Sequence, residues 1–185
     1  LRINTNLSKV DTRIFDLICT FKNVHWTISA ETIEKEFEYI RYGGSWRDFT
    51  ENLGRIKNLD HKISFNMLWF LLNYNSVFDF VDYMKDQGFH NNSFIIGVLI
   101  QPDYLNIRHL PDNVLYSLEQ ELNLRISAGP GYLLEDSYRN MLHHIQQPFK
   151  KNLNDSFKQI QQLDQQRNLD SSKIFTELYK LKEGN

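Results

Sequence analysis

At 185 residues, 41% hydrophobic and 14% aromatic, the chain has the material for one globular domain, or one with a small appendage. A formal net charge of −2, from 21 basic and 23 acidic residues, excludes the bulk cationic pull that nucleic acid or an anionic membrane would exploit. Cys19 is the single cysteine, which excludes an intramolecular disulfide and any cysteine-ligated zinc or iron–sulfur centre completed from this chain alone, and suits a reducing, cytoplasmic setting.

Leu1 to Asn4 alternates apolar and polar residues and runs into Thr5-Asn6-Leu7-Ser8, which predicts a strand and its loop. Because the first residue is not Met and a strand is already under way, the chain reads as a fragment that starts partway through a fold. No signal peptide opens it. Asp11 is placed to cap a helix whose Ile14, Leu17 and Ile18 recur at helical spacing, with Phe15 and Phe21 adding apolar surface. Cys19, near that face, reads as a small buried hydrophobe. In Val24 to Ser29, Val24, Trp26 and Ile28 alternate with His25, Thr27 and Ser29, the period of a strand. A loop from Glu31 to Gly44 leads to Ser45-Trp46-Arg47-Asp48, which resembles a capping box with Asp in place of Glu. Trp46, Phe49, Leu53 and Ile56 then make one buried helix face.

Lys62 to Leu72 is long, apolar and aromatic, as a central strand covered on both sides should be, although a buried helix shares that pattern. Neither this run nor Ser93 to Ile100 approaches the roughly 20 residues that span a bilayer. Asn73 to Ser76 is turn and cap chemistry; Val77, Phe80, Val81 and Met84 make a helix face, with Gly88 as its left-handed stop. Ser93 to Ile100 is a fourth strand, ended by Gln101-Pro102-Asp103. The alternation predicts parallel βαβ crossovers, compatible with part of a doubly wound sheet or an arc of a barrel. After Pro111 the strand signal stops. Helices follow on Val114 to Leu122, Leu133 to Ile145, Leu153 to Leu163 and a short segment after Asp170, with breaks at Ala128-Gly129-Pro130-Gly131 and Pro148. The glutamine-rich run Gln159 to Gln166 reads as a solvated helix face. The expected division is 1–110 for the strand-containing part and 111–185 for a helical extension.

Residues that could carry chemistry are sparse. His25, His61, His90, His109, His143 and His144 include no pair at i, i+4, so no metal ligands are assigned. There is no phosphate-loop motif, dinucleotide glycine fingerprint or serine elbow, and Gly43-Gly44 reads as a structural turn before it reads as an anion cradle. What recurs is short polar residues at strand ends: Asn4, Thr5 and Asn6; Ser29 and Glu31; Asn73 and Asn75; Gln101 and Asp103. In a parallel sheet these share the rim where such folds hold ligands, and loop capping selects the same residue types.

In order and spacing these segments resemble the radical S-adenosylmethionine enzymes, in the branch of sulfatase-maturating and SPASM or twitch proteins. Leu1 to Asn6 is similar to the family's fourth strand with its Thr-Asn turn, and Trp26 to Glu31 to the fifth, whose usual ending is Ser-x-Asp-Gly. Phe37 to Ile56 is similar to the segment with an Arg, then Gly, then a helix with aromatic and Asn positions, here Arg41, Gly43, Gly44, Phe49 and Asn52. Phe175 to Tyr179 looks like a short C-terminal motif of twitch-type members.

The resemblance implies an α/β fold, the C-terminal portion of a partial (βα)6 barrel with about four parallel strands and a helical extension. S-adenosylmethionine would lie across the strand ends, with Asn4 and Asn6 near its ribose and Ser29 and Arg41 near its methionine part. Glu31 stands at the fifth-strand ending, and backbone around Leu99 to Pro102, Gln101 included, would lie near the adenine. The planar guanidinium of Arg41 suits the amino-acid carboxylate, and a loop salt bridge with Glu36 or Glu38 is its competing role. Two departures stand out: the CxxxCxxC loop that would ligate a 4Fe-4S cluster is absent along with the first three strands, and Ala30-Glu31-Thr32 replaces Asp-Gly. The implied parent is an enzyme that draws electrons from a flavodoxin or ferredoxin and acts on an unidentified substrate, a peptide or protein among the candidates. The 185-residue chain alone would be inert, with no catalytic residue assigned. Neither nucleic acid nor membrane is an expected partner. The alternatives are a non-catalytic half-barrel binding module and a (βα) barrel enzyme of another family.

Overall fold

The computed structural model describes residues 1–183. Strand β1 (Arg2–Thr5) is followed by α1 (Thr12–Cys19), β2 (His25–Ser29), α2 (Glu34–Ile40), α3 (Trp46–Lys57), β3 (Lys62–Trp69), α4 (Ser76–Asp86) and β4 (Phe94–Val98). Helices α5 (Asp112–Ser127), α6 (Tyr132–Ile145), α7 (Leu153–Arg167) and α8 (Thr176–Glu183) complete the described chain. The strands form a parallel sheet in the order β1-β2-β3-β4. No helix among the described residues is long and apolar enough to cross a membrane.

The two faces of the sheet differ. Trp26 and Ile28 on β2, Phe65, Met67 and Trp69 on β3, and Phe94 and Ile96 on β4 are buried in a core shared with Phe37, Phe49, Phe80 and Met84 of the helices. Phe65 stacks on its cross-strand neighbour Phe94, ring centroids 5.4 Å apart. The opposite face carries Arg2 and Asn4, then His25, Thr27 and Ser29, then Lys62, Ser64, Asn66 and Leu68, then Ile95 and Gly97, and is covered only in part. Asn66 is exposed, as are Leu68 at 39% and Ile95 at 46%. β3 is thus not buried on both sides as its composition predicts.

Local chemistry explains several boundaries. Asp11 caps α1 by accepting from the N–H groups of Arg13 and Ile14, and Ser45 Oγ accepts from the Asp48 N–H at 3.3 Å to start α3. Gly88, at φ +88°, ends α4, where the Phe89 N–H reaches back to the Met84 carbonyl at 3.1 Å. β3 stops at Trp69 and not at Leu72, because Asn73 turns the chain. Its Oδ1 accepts from the Phe70 N–H and its Nδ2 donates to the Leu68 carbonyl, both at 2.8 Å, folding Leu71–Asn73 into a 3-10 turn.

The expected Glu31 to Gly44 loop contains α2, whose Phe37 and Tyr39 are buried; Ile33 precedes it and supplies no side-chain cap. α1 also turns differently from its periodicity. Phe15 and Ile18 face inward, Ile14 and Leu17 are 58% and 61% exposed, and Cys19 is exposed and not buried. A short helix with apolar residues on two sides does not encode which side packs; here the Arg55 guanidinium covers Phe15, 4.1 Å from its ring centroid.

The C-terminal helices close one sheet edge and brace the rim. Ser137 Oγ on α6 accepts from the outward N–H of Ile96 on β4 at 3.0 Å and donates to the Leu133 carbonyl at 2.9 Å. Buried Asp164 on α7 accepts from Tyr39 Oη at 2.8 Å, from the Ser171 N–H at 3.0 Å and from Ser171 Oγ at 2.6 Å, joining α7 to α2 across the sequence.

Candidate functional site

The C-terminal ends of β1, β2 and β3 lead into loops that are fastened to one another. Asn52 Nδ2 on α3 donates to the Leu7 carbonyl at 2.9 Å, fixing the turn after β1. Asn73 Nδ2 also donates to the Glu31 carbonyl at 3.3 Å, fixing the turn after β2 to the turn after β3. Arg167 Nη1 donates to the Tyr39 carbonyl at 3.3 Å, and its guanidinium lies over the Tyr42 ring.

Within this frame Glu31 and Arg41 meet. Arg41 Nε donates to Glu31 Oε2 at 2.8 Å and Nη2 donates to Oε1, a bidentate pair with Glu31 2% exposed and Arg41 26% exposed. Burial pushes the Glu31 carboxyl up, with the charge and hydrogen bonds of Arg41 pulling against it. The loop ion pair expected with Glu36 or Glu38 forms instead with Glu31, whose buried carboxylate at the end of β2 faces the guanidinium. Glu38 accepts from the Trp46 N–H at 2.9 Å, and Glu36 accepts from Thr32 Oγ1 at 2.8 Å and from Ser76 Oγ. Burial raises the Glu36 carboxyl while those hydroxyls lower it.

The other expected site residues spread over the rim. Asn4 is exposed on the open face, in register with Thr27. Asn6 Oδ1 accepts from the N–H and Oγ of Ser8 at 3.1 and 2.7 Å, a local turn. Ser29 is half-buried, in register with Asn66 of β3. Leu99 is half-buried, its N–H donating to the Trp69 carbonyl at 3.0 Å, and Gln101 is exposed ahead of the cis bond to Pro102. β3 pairs with β2 over Lys62 to Asn66 but with β4 over Phe65 to Trp69, so Leu99 and Gln101 stand several residues beyond the level of Ser29. The structure joins Glu31 to Arg41 and sets Asn4 and Ser29 on one face.

Two groups were not singled out from sequence. Asn66, Thr27 and Ser64 share the open face with Asn4 and Ser29, a signal available in the two-residue period once the covered face is known. A cleft of about 450 Å³ also opens between α2, α4, α5 and α8, lined by Glu36, Tyr74, Ser76, Asp79, Val114 and Phe175 among others. It assembles from segments too distant in sequence to be grouped by spacing. No family model, curated protein or solved structure matches the chain.

Proposed function

We propose that this chain is the C-terminal part of a radical S-adenosylmethionine enzyme, a barrel arc whose open face and rim contact cofactor and substrate. The observation that carries the reading is the open polar face of a sequentially ordered parallel sheet, presenting Asn4, Thr27, Ser29 and Asn66 beside the Arg41 loop. Sequential order with one well-covered face supports a barrel arc over a doubly wound sheet, which buries both faces and reverses its order. The offset between the two ladders of β3 supports it too, since a closing sheet staggers its strands in one direction.

The residues fit the cofactor's polar parts. Glu31 occupies Nε and Nη2 of Arg41 and leaves the Nη1 edge of a 26% exposed guanidinium for the methionine carboxylate. Asn4, Ser29 and Gln101 offer amide and hydroxyl groups, with backbone at Leu99 toward the adenine. Bound to a reducing 4Fe-4S cluster carried on other residues, S-adenosylmethionine supplies one-electron chemistry at unactivated C–H bonds. Within this chain Glu31 orients Arg41, and Asn73 holds the Glu31 backbone in place.

Calorimetry with S-adenosylmethionine tests the reading. The folded chain is expected to bind it, with affinity at least about tenfold weaker in Arg41→Lys, which keeps the charge but loses the planar fork. A folded chain that shows no binding heat overturns it. The second reading, a non-catalytic binding module, draws on the cleft between α2, α4, α5 and α8, which forms without the open face.

A further inference from the structure

Register sorts the open sheet face into rows. Arg2, His25 and Lys62 align across β1, β2 and β3 at the strand starts; Asn4, Thr27 and Ser64 form the next row, and Ser29, Asn66 and Ile95 the one after. At the usual strand spacing the first row gathers three basic side chains across about 10 Å. Every ionisable side chain in these rows is basic, in a chain whose formal net charge is −2.

Adjacent like charges on one sheet face are destabilising, and an internal counter-ion would be the ordinary remedy. Neither Arg2 nor Lys62 joins an ion pair among the described residues. Burial first, then the charges of Lys62 and Arg2, hold the His25 imidazole below the ordinary histidine range. His25 Nε2 lies 2.8 Å from Ser64 Oγ, which itself donates to the Trp26 carbonyl at 3.4 Å. A cleft of about 360 Å³ lies beside the row, with Lys22, Asn23, His25 and Lys62 in its lining and Asp60 as its one acid.

We propose that Arg2, His25 and Lys62 anchor the phosphate group of a small hydroxyl-bearing ligand that lies along the open face. Arg2 and Lys62 supply charged donors, and Thr27 and the exposed Asn66, which the cofactor reading does not use, meet the ligand's hydroxyls. The cationic row and the Ser29 row are four residues apart on β2, about 13 Å at the usual rise, the length of a phosphorylated sugar with a further group attached. The anchor stands on the face itself and not on S-adenosylmethionine binding; where both hold, the phosphate ester is the substrate class.

The test follows the His25 ring protons by NMR, assigned with His25→Gln, while inorganic phosphate or ribose 5-phosphate is added at ionic strength balanced with sodium chloride. Phosphate is expected to raise the His25 pKa by about one unit, as a nearby opposite charge does. Ribose 5-phosphate is expected to bind about tenfold more tightly than inorganic phosphate, the worth of one or two additional hydrogen bonds. Arg2→Gln combined with Lys62→Gln should abolish the shift while circular dichroism stays unchanged. A chloride control that matches phosphate, or a shift that survives in the double variant, overturns the anchor. Equal affinity for phosphate and its sugar ester overturns the hydroxyl-bearing ligand, leaving an adventitious ion only. Calorimetry of S-adenosylmethionine with the same double variant separates the two readings, since that variant leaves Asn4, Ser29 and Arg41 in place and cofactor binding is expected to persist.

Discussion

Arg41→Ala is expected to destabilise the chain most at neutral pH and progressively less on acidification. Removing one partner of a fully buried ion pair costs about 3–5 kcal/mol, because the other charge is left uncompensated. Glu31 is 2% exposed, but Arg41 is 26% exposed, so water already screens part of the pair. The expectation falls accordingly to about 2–3 kcal/mol. Proton uptake limits it further. The Glu31 carboxyl is raised by burial even with Arg41 opposing, and rises further once the guanidinium is gone. A carboxyl whose folded pKa lies above its unfolded value keeps its proton in the folded state over a range where the unfolded chain has lost it. The penalty of ionising it is therefore full above the folded pKa and fades as pH falls toward the ordinary value of 4.5. Urea unfolding of wild type and Arg41→Ala between neutral pH and about pH 5 measures this. Glu31→Gln combined with Arg41→Met, which removes both charges, should lie within about 1 kcal/mol of wild type. A loss independent of pH, or a double variant as unstable as Arg41→Ala, refutes the buried pair.

Acidification should also weaken the chain through His144, held near pKa 4 by burial and the nearby Arg108 and His143 instead of the ordinary 6.5. The unfolded chain takes up that proton first, so stability is lost as pH falls from the ordinary value toward the depressed one. Discounted for a half-exposed site the loss is about 1 kcal/mol, and urea midpoints with and without His144→Gln isolate it. Ser137→Ala should cost about 1–2 kcal/mol, because the Ile96 N–H is left buried without an acceptor; amide exchange at Ile96 should accelerate. Asp164→Asn should cost about 2–3 kcal/mol, since one amide oxygen cannot replace both carboxylate oxygens toward Tyr39 and Ser171, and a cycle with Tyr39→Phe should show coupling. Cys19, exposed at the end of α1, should react stoichiometrically with a maleimide in the folded chain, as intact mass reports.

The strands and most helices were legible because their signals are local. The alternation in Val24 to Ser29, Asp11 ahead of α1 and the left-handed Gly88 each act within a few residues. What escaped depends on partners far along the chain. The second face of β3 ends in the apolar Leu68, yet nothing packs fully over it, and sequence does not state which layers are present. α2 carries no side-chain cap, so the segment around it reads as loop. Sheet order, which separates a barrel arc from a doubly wound sheet, is a property of the assembled strands.

The candidate site divides along the same line. Loop residues chosen for their chemistry are largely occupied within the loops: Asn6 by Ser8, Asn73 by Phe70, Leu68 and Glu31, and Arg41 on two of its nitrogens by Glu31. Such residues set the shape of the rim, and their replacement should move stability first. The open face is the reverse case. Asn4 lies in register with Thr27 and Ser29 with Asn66, with nothing packed fully over them, and Arg2 and Lys62 have no ion-pair partner among the described residues. Exposed polar groups on a strand cost little when replaced, so these positions should tolerate substitution with small effects on folding. Ligand affinity should move at the face where stability does not, and the Glu31–Arg41 pair, which belongs to both, should move the two together.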